Sequence, residues 1–183
     1  MDAYDFIYLA WLDAYDSSIT DLTGLQGCYF TQLESLFLGN NQISDITPLA
    51  GMSYVANVDL SWNQIIDISP LAEMSWLENL WLGGNQISDI SPLAGLGHLH
   101  DLSLHDNQIG DITPLAGLTS LSWLDLSWNQ IIDILPLVNN PRMRYPAYVD
   151  LTSNPLSSTS CVVHIPTLES RGVNVEYDPD DCP

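Results

Sequence analysis

Apolar residues recur along this chain on a fixed count. Leu33, Leu36 and Leu38 are followed by Asn41, Ile43, Ile46 and Leu49, and the set returns every 22 residues with template starts at Val55, Leu77, Leu99 and Leu121. A period of this length marks a stacked repeat, in which each unit buries its apolar face only against its neighbours. The second and third apolar positions (Leu36-x-Leu38, Val58-x-Leu60, Leu80-x-Leu82, Leu102-x-Leu104, Leu124-x-Leu126) alternate with polar residues, so each predicts a short strand with alternate side chains buried. Stacking aligns these strands into one parallel sheet, whose outward positions lie between the leucines. The Pro-Leu pairs from Pro48-Leu49 to Pro136-Leu137 leave space for a turn or so before the next strand, which predicts 3₁₀ turns or extended chain on the opposite side.

The polar positions between the apolar ones repeat as well. Asn41, Asn63, Asn85, Asn107, Asn129 and Asn154 form a column; an amide side chain satisfies both the backbone donor and the acceptor that a chain turning away from a sheet leaves unpaired. Asp21, Asp45, Asp67, Asp89, Asp111 and Asp133 form a ladder that invites a metal reading. Most of them stand two residues before a Thr or Ser and three before a Pro, so capping of backbone N–H groups is the better account.

The two ends depart from the period. Leu9, Leu12, Ala14, Ser17, Ile19 and Leu22 lay onto the template as a degenerate repeat. The expected organisation is one unit: a degenerate first repeat over 9–28, five regular repeats over 29–142, a last irregular repeat over 143–157 and a C-terminal cap over 158–183. In the cap, SSTSCVVHIPTLESRG reads as a short amphipathic helix ended by Gly172, and VNVEY as a final strand with Val173 and Val175 inward. The lead-in MDAYDFIY is short and aromatic, so an open end is expected to self-associate as a homodimer through Tyr4, Phe6, Tyr8 and Trp11.

Charge narrows the partners. Three Arg, no Lys and 23 acidic residues give a formal net charge of -20, which repels phosphate backbones and anionic lipid heads and argues against nucleic-acid and membrane-surface roles. No apolar run reaches the roughly 20 residues of a membrane span, and the acidic start does not read as a signal peptide. General solubility is the competing reading of the charge. Cys28 falls in a buried apolar column with Met52, Met74, Leu96 and Leu118, whereas Cys161 and Cys182 lie outside it; a bridge between these two and a pair of free thiols are both open. His98, His100 and His105 cluster in sequence, but they flank a strand from different sides and no metal or other cofactor is expected there.

The outward columns carry the remaining chemistry. Between the strand leucines stand Phe37, Asp59, Trp81, Ser103, Asp125 and Asp150, and beside them Ser35, Asn57, Asn79, Asp101 and Trp123. Aromatics among carboxylates suit a protein partner with a cationic surface, since the rings supply contact area and the carboxylates select positive charge; stiffening of the sheet is the alternative. Trp62 and Trp128 recur in identical SWNQIIDI phrases and read as repeat-consensus residues. No nucleophile with a base, and no paired carboxylates in a cleft, suggest an enzyme.

The phrase NQISDISPLAGL resembles the 22-residue leucine-rich repeats of the internalin type, and VDLTSNPLSSTSCVVHIPTLESRGVNVEYD resembles the terminal repeat and C-terminal cap of bacterial and archaeal relatives. The resemblance covers about residues 9–178. It implies an α/β repeat fold: a curved solenoid with its parallel sheet on the concave face, short 3₁₀ or extended turns on the convex face and a helix-strand cap. It also implies a non-catalytic binding module, extracellular or at a cell surface, engaging a protein or a glycan. Relatives usually carry an N-terminal helical cap that this sequence lacks.

Overall fold

A computed structural model of the chain describes residues 9–27 and 32–182. Eight strands form a single open parallel sheet in sequence order: β1 (Trp11–Asp13), β2 (Ser35–Phe37), β3 (Asn57–Asp59), β4 (Asn79–Trp81), β5 (Asp101–Ser103), β6 (Trp123–Asp125), β7 (Ala147–Asp150) and β8 (Val173–Glu176). The middle residues Leu36, Val58, Leu80, Leu102 and Leu124 face one another in register and are at most 1% exposed. The sheet is the concave side of a curved leucine-rich-repeat solenoid. On the convex side the Pro-Leu segments make 3₁₀ turns at Thr47–Leu49, Ser69–Leu71, Ser91–Gly95 and Thr113–Gly117, with α1 (Leu135–Asn139) as the one α-helical equivalent among the described repeats.

The leucine and isoleucine columns fill the space between the two sides. Ile43, Ile46 and Leu49 and their equivalents are essentially fully buried, each removing a side chain from water at a gain of about 2 kcal/mol. Met74, Leu96 and Leu118 share the expected column and are buried, Met52 is partly so, and Cys28 lies outside the described residues.

Each Asn of the column fastens its repeat to the one before. The Asn85 amide oxygen accepts the Ile65 N–H at 3.0 Å, and its nitrogen donates to Leu60 O at 3.0 Å in the preceding repeat and to Leu82 O at 2.9 Å in its own. Asn41, Asn63, Asn107, Asn129 and Asn154 repeat this pattern. The Asp ladder acts on the convex turns: Asp45, Asp67, Asp89, Asp111 and Asp133 each accept the backbone N–H two residues on at 2.8–2.9 Å, and Asp21 does so at 2.7 Å.

The helix expected in the C-terminal cap is present as one continuous helical run over 158–170, but a π turn at Ser160–His164 interrupts its α register before α2 (Ile165–Ser170). Pro166 is the cause: it has no N–H to donate and its ring disfavours an α-register carbonyl four residues back, so the chain widens there. The wider turn sends the Ile165 N–H to Ser160 O. Gly172, at φ 84°, takes the left-handed position that lets the chain turn from α2 into β8. Cys161 and Cys182 are joined in a disulfide. No helix among the described residues is long and apolar enough to cross a membrane.

Candidate functional site

Parallel pairing in register turns the outward strand positions into straight columns. One column runs Asp13, Phe37, Asp59, Trp81, Ser103, Asp125, Asp150, Glu176, and its neighbour runs Trp11, Ser35, Asn57, Asn79, Asp101, Trp123, Tyr148, Asn174. Phe37, Asp59, Trp81, Asp101, Trp123, Asp125 and Asp150 are all half-buried on the concave floor. Ser103 is not: it is 3% exposed, because the His105 ring lies over it with Nδ1 2.7 Å from the Ser103 hydroxyl. That removes Ser103 from the residues able to meet a partner.

Four of the carboxylates in the first column also hold the backbone, Asp13 among them through the Tyr15 N–H at 3.1 Å. Asp125 accepts the Ser127 N–H at 3.0 Å and its hydroxyl at 2.7 Å; Asp150 does the same with Thr152 at 2.9 and 2.8 Å. Asp59 takes the Ser61 N–H at 2.9 Å and its hydroxyl as well. At Asp59, Asp125 and Asp150 the run is Asp-Leu-Ser or Asp-Leu-Thr, and it shapes the turn out of the strand. Where the column is aromatic, at Phe37 and Trp81, the residue two positions on is Gly39 or Gly83. A Cβ at Gly83 would come within 2.0 Å of the His105 ring, so this glycine is what lets His105 lie over the preceding repeat.

Ser103, His105 and Asp125 bring together the residue types of a hydrolytic triad, but the geometry is not one. Ser103 Oγ and Asp125 Oδ2 both face the same ring nitrogen, Nδ1, at 2.7 and 3.5 Å, whereas a triad needs the nucleophile and the orienting carboxylate on opposite nitrogens of the histidine base. His98 is on another flank, stacked on Trp76 at 5.2 Å with Nδ1 2.9 Å from Ser75 O. Among the described residues no group of three His, Cys, Asp or Glu is placed to hold a metal ion.

The C-terminal end of the floor contains two functional candidates beyond those expected from the sequence. Tyr148 and Glu176 sit in the irregular last steps, where the interval between paired strands stretches from Leu124 to Val149 and from Val149 to Val175. The Trp123 and Tyr148 rings stack at 6.3 Å. The Tyr148 hydroxyl donates to Glu176 Oε2 at 2.5 Å, and this bond holds the phenol well above its usual pKa. Beside them a depression of about 670 Å³ is lined by Ser122, Tyr145, Pro146, Tyr148, Gly172 and Asn174. Counting back from the Asn column does place Tyr148 opposite Trp123, since each stands six residues before its Asn, Asn154 and Asn129. Of the aromatic residues expected at the N-terminal end, Trp11 is 69% exposed on β1 and opens the second concave column, while Tyr4, Phe6 and Tyr8 lie outside the described residues.

The family model described as "Leucine Rich repeats (2 copies)" matches residues 9–51, 57–95 and 75–117. Solved structures with the same architecture include an internalin (inlF) of Listeria monocytogenes, 29% identical at a TM-score of 0.84 over 97% of this chain and 49% of that one. Internalin C2 of the same species is 33% identical at a TM-score of 0.71, over 97% of this chain and 84% of the other. A leucine-rich repeat protein of Leptospira interrogans, 23% identical at a TM-score of 0.73 over 88% of this chain and 40% of that one, shares the fold. The chain thus spans about half the length of the first of these structures. No curated protein sequence matches.

Proposed function

The chain belongs to the leucine-rich repeat family and is internalin-like, and from that premise we propose that it is a non-catalytic protein-binding module whose concave floor receives a partner with a cationic surface. The observation that carries this reading is the aromatic content of the floor. Trp81 on β4, and Trp123 stacked on Tyr148 across β6 and β7, occupy outward positions that most of the other strands fill with Ser, Asn or Asp. Half-buried rings in a shallow concave surface are the residues whose complete burial contributes most to an interface. The carboxylates around them, in a chain of net charge -20, favour a basic complement and speed its encounter.

Selection of a displayed random-peptide library on the immobilised protein tests this. The enriched peptides should carry Lys or Arg, and Trp81→Ala should weaken them at least tenfold without lowering the melting temperature. Asp125→Asn is the matching charge variant, because the amide oxygen can still accept from Ser127. Enrichment of neutral or acidic peptides, or affinity unchanged by Trp81→Ala, would overturn the reading.

A further inference from the structure

A second column, at the exit of the strands, carries a feature the repeat does not require. Asp16, Asn40, Trp62, Gly84, Asp106, Trp128 and Ser153 occupy equivalent positions, and every one of them has φ between 51° and 69°. Glycine adopts this left-handed conformation freely and Asn and Asp tolerate it, whereas a bulky side chain there is strained. Ser153 is small, and Asp16, Asn40, Gly84 and Asp106 obey that rule. Trp62 and Trp128 do not, so they are not consensus residues of the fold: the consensus chemistry of the column is small and polar.

The two tryptophans face a common cleft. They are 50% and 64% exposed, and three strand spacings separate their backbones, about 14 Å. Together with His105 and Asp106 they line a depression of about 420 Å³. Its floor is kept low by missing side chains: a Cβ at Gly84 would stand 2.4 Å from the Trp62 ring and one at Gly83 would run into His105. Trp62 therefore rests on the bare Gly84 backbone, edge-on to His105 with centroids 5.8 Å apart. Asp106, exposed between the two indoles, brings the carboxylate.

We propose that this cleft, on the exit flank of the sheet, binds a guanidinium group, an arginine side chain of a partner protein held between Trp62 and Trp128 and paired with Asp106. Indole faces attract a planar delocalised cation and stack on it, a carboxylate accepts two of its N–H donors, and the chain has only Arg142, Arg144 and Arg171 with which to compete. Strain kept at two positions that Gly, Asn or Asp would relieve is understandable if the rings have a ligand. The site is separate from the concave columns and does not depend on their binding a protein.

Nuclear magnetic resonance of the six Trp indole N–H groups, with N-acetyl-arginine amide as probe at constant ionic strength, decides it. The two resonances that vanish in Trp62→Asn and Trp128→Asn should shift saturably at millimolar probe, while the other four stay in place. N-acetyl-citrulline amide, the neutral isostere, should bind at least fivefold more weakly. Asp106→Asn should reduce arginine affinity threefold or more and leave citrulline unchanged. Trp128→Asn should abolish the response while the melting temperature holds or rises, since Asn suits the left-handed backbone. Equal binding of citrulline, shifts spread over all six indoles, or saturable shifts with chitohexaose and none with arginine would each overturn the proposal, the last in favour of a glycan site.

Discussion

Asn85 illustrates why single residues matter so much in a stack. Its amide satisfies the Ile65 N–H and the Leu60 carbonyl of the preceding repeat as well as the Leu82 carbonyl of its own, and it is 9% exposed. Removing it leaves the buried Ile65 N–H without a partner, at a cost of about 1–3 kcal/mol, and takes one amide donor from each of the Leu60 and Leu82 carbonyls, which Asn63 and Asn107 continue to serve. Asn85→Ala is therefore expected to destabilise the protein by about 3 kcal/mol in chemical denaturation. Asn85→Asp should be no better, because a carboxylate accepts from Ile65 but cannot donate to the carbonyls. A loss under 1 kcal/mol in both variants would show that water or a rearranged turn takes over these bonds. The Asp-Leu-Ser and Asp-Leu-Thr turns make a related point: Asp59, Asp125 and Asp150 are exposed enough to meet a partner, yet each already has an oxygen committed to the turn.

Elements in this chain were legible wherever the period held. The alternation of Leu36-x-Leu38 and its equivalents specifies both strand and register, because any one-residue slip would expose the whole leucine column. Legibility ended where an element answers to one residue instead of the repeat. The π turn at Ser160–His164 depends on Pro166, and Ser103 looked outward by parity until His105 folded across Gly83. Trp62 and Trp128 were readable in principle, since Asn40, Gly84, Asp106 and Ser153 mark their column as left-handed. The Cys161–Cys182 disulfide settles a choice the spacing left open and ties the π turn to the end of the chain, across a separation of 21 residues. Closing such a loop in the unfolded chain is worth about 3 kcal/mol in the entropy model. A Cys161→Ser/Cys182→Ser variant should melt about 6–12 °C lower than the oxidised protein, and reductant should lower the parent to the same value. Equal melting of variant and oxidised parent would mean that the cap frays without weakening the rest.

Charge acts on the molecule as a whole through two terms of opposite sign and different range. Hydroxyl and backbone N–H donors from Thr23, Thr47 and Thr113 hold Asp21, Asp45 and Asp111 below the ordinary aspartate pKa, and the Ser91 N–H and hydroxyl do so for Asp89. Along the same ladder Asp21 pushes Asp45 up and Asp111 pushes Asp89 up. The net shift is downward, so at these residues hydrogen bonding outweighs repulsion. A depressed folded pKa contributes stability that is complete above the unfolded value of 3.8 and is lost as pH falls through the folded values. These turns should therefore weaken in acid. Salt separates the two terms, because hydrogen bonds at contact distance are hardly screened, while repulsion between exposed carboxylates on successive repeats falls as the Debye length shrinks from about 10 Å at 0.1 M to about 3 Å at 1 M. With only three Arg against 23 acids, repulsion is the term that salt removes, so the melting temperature at neutral pH should rise by several degrees from low to molar NaCl. In the variant with Asp67, Asp89 and Asp111 all changed to Asn, which keeps an acceptor for each turn N–H and removes three charges from the middle of the ladder, the rise should be smaller. A melting temperature that is flat or falling with salt in the parent would show that carboxylate repulsion does not govern stability, and an undiminished slope in the Asn variant would locate the salt response outside the ladder.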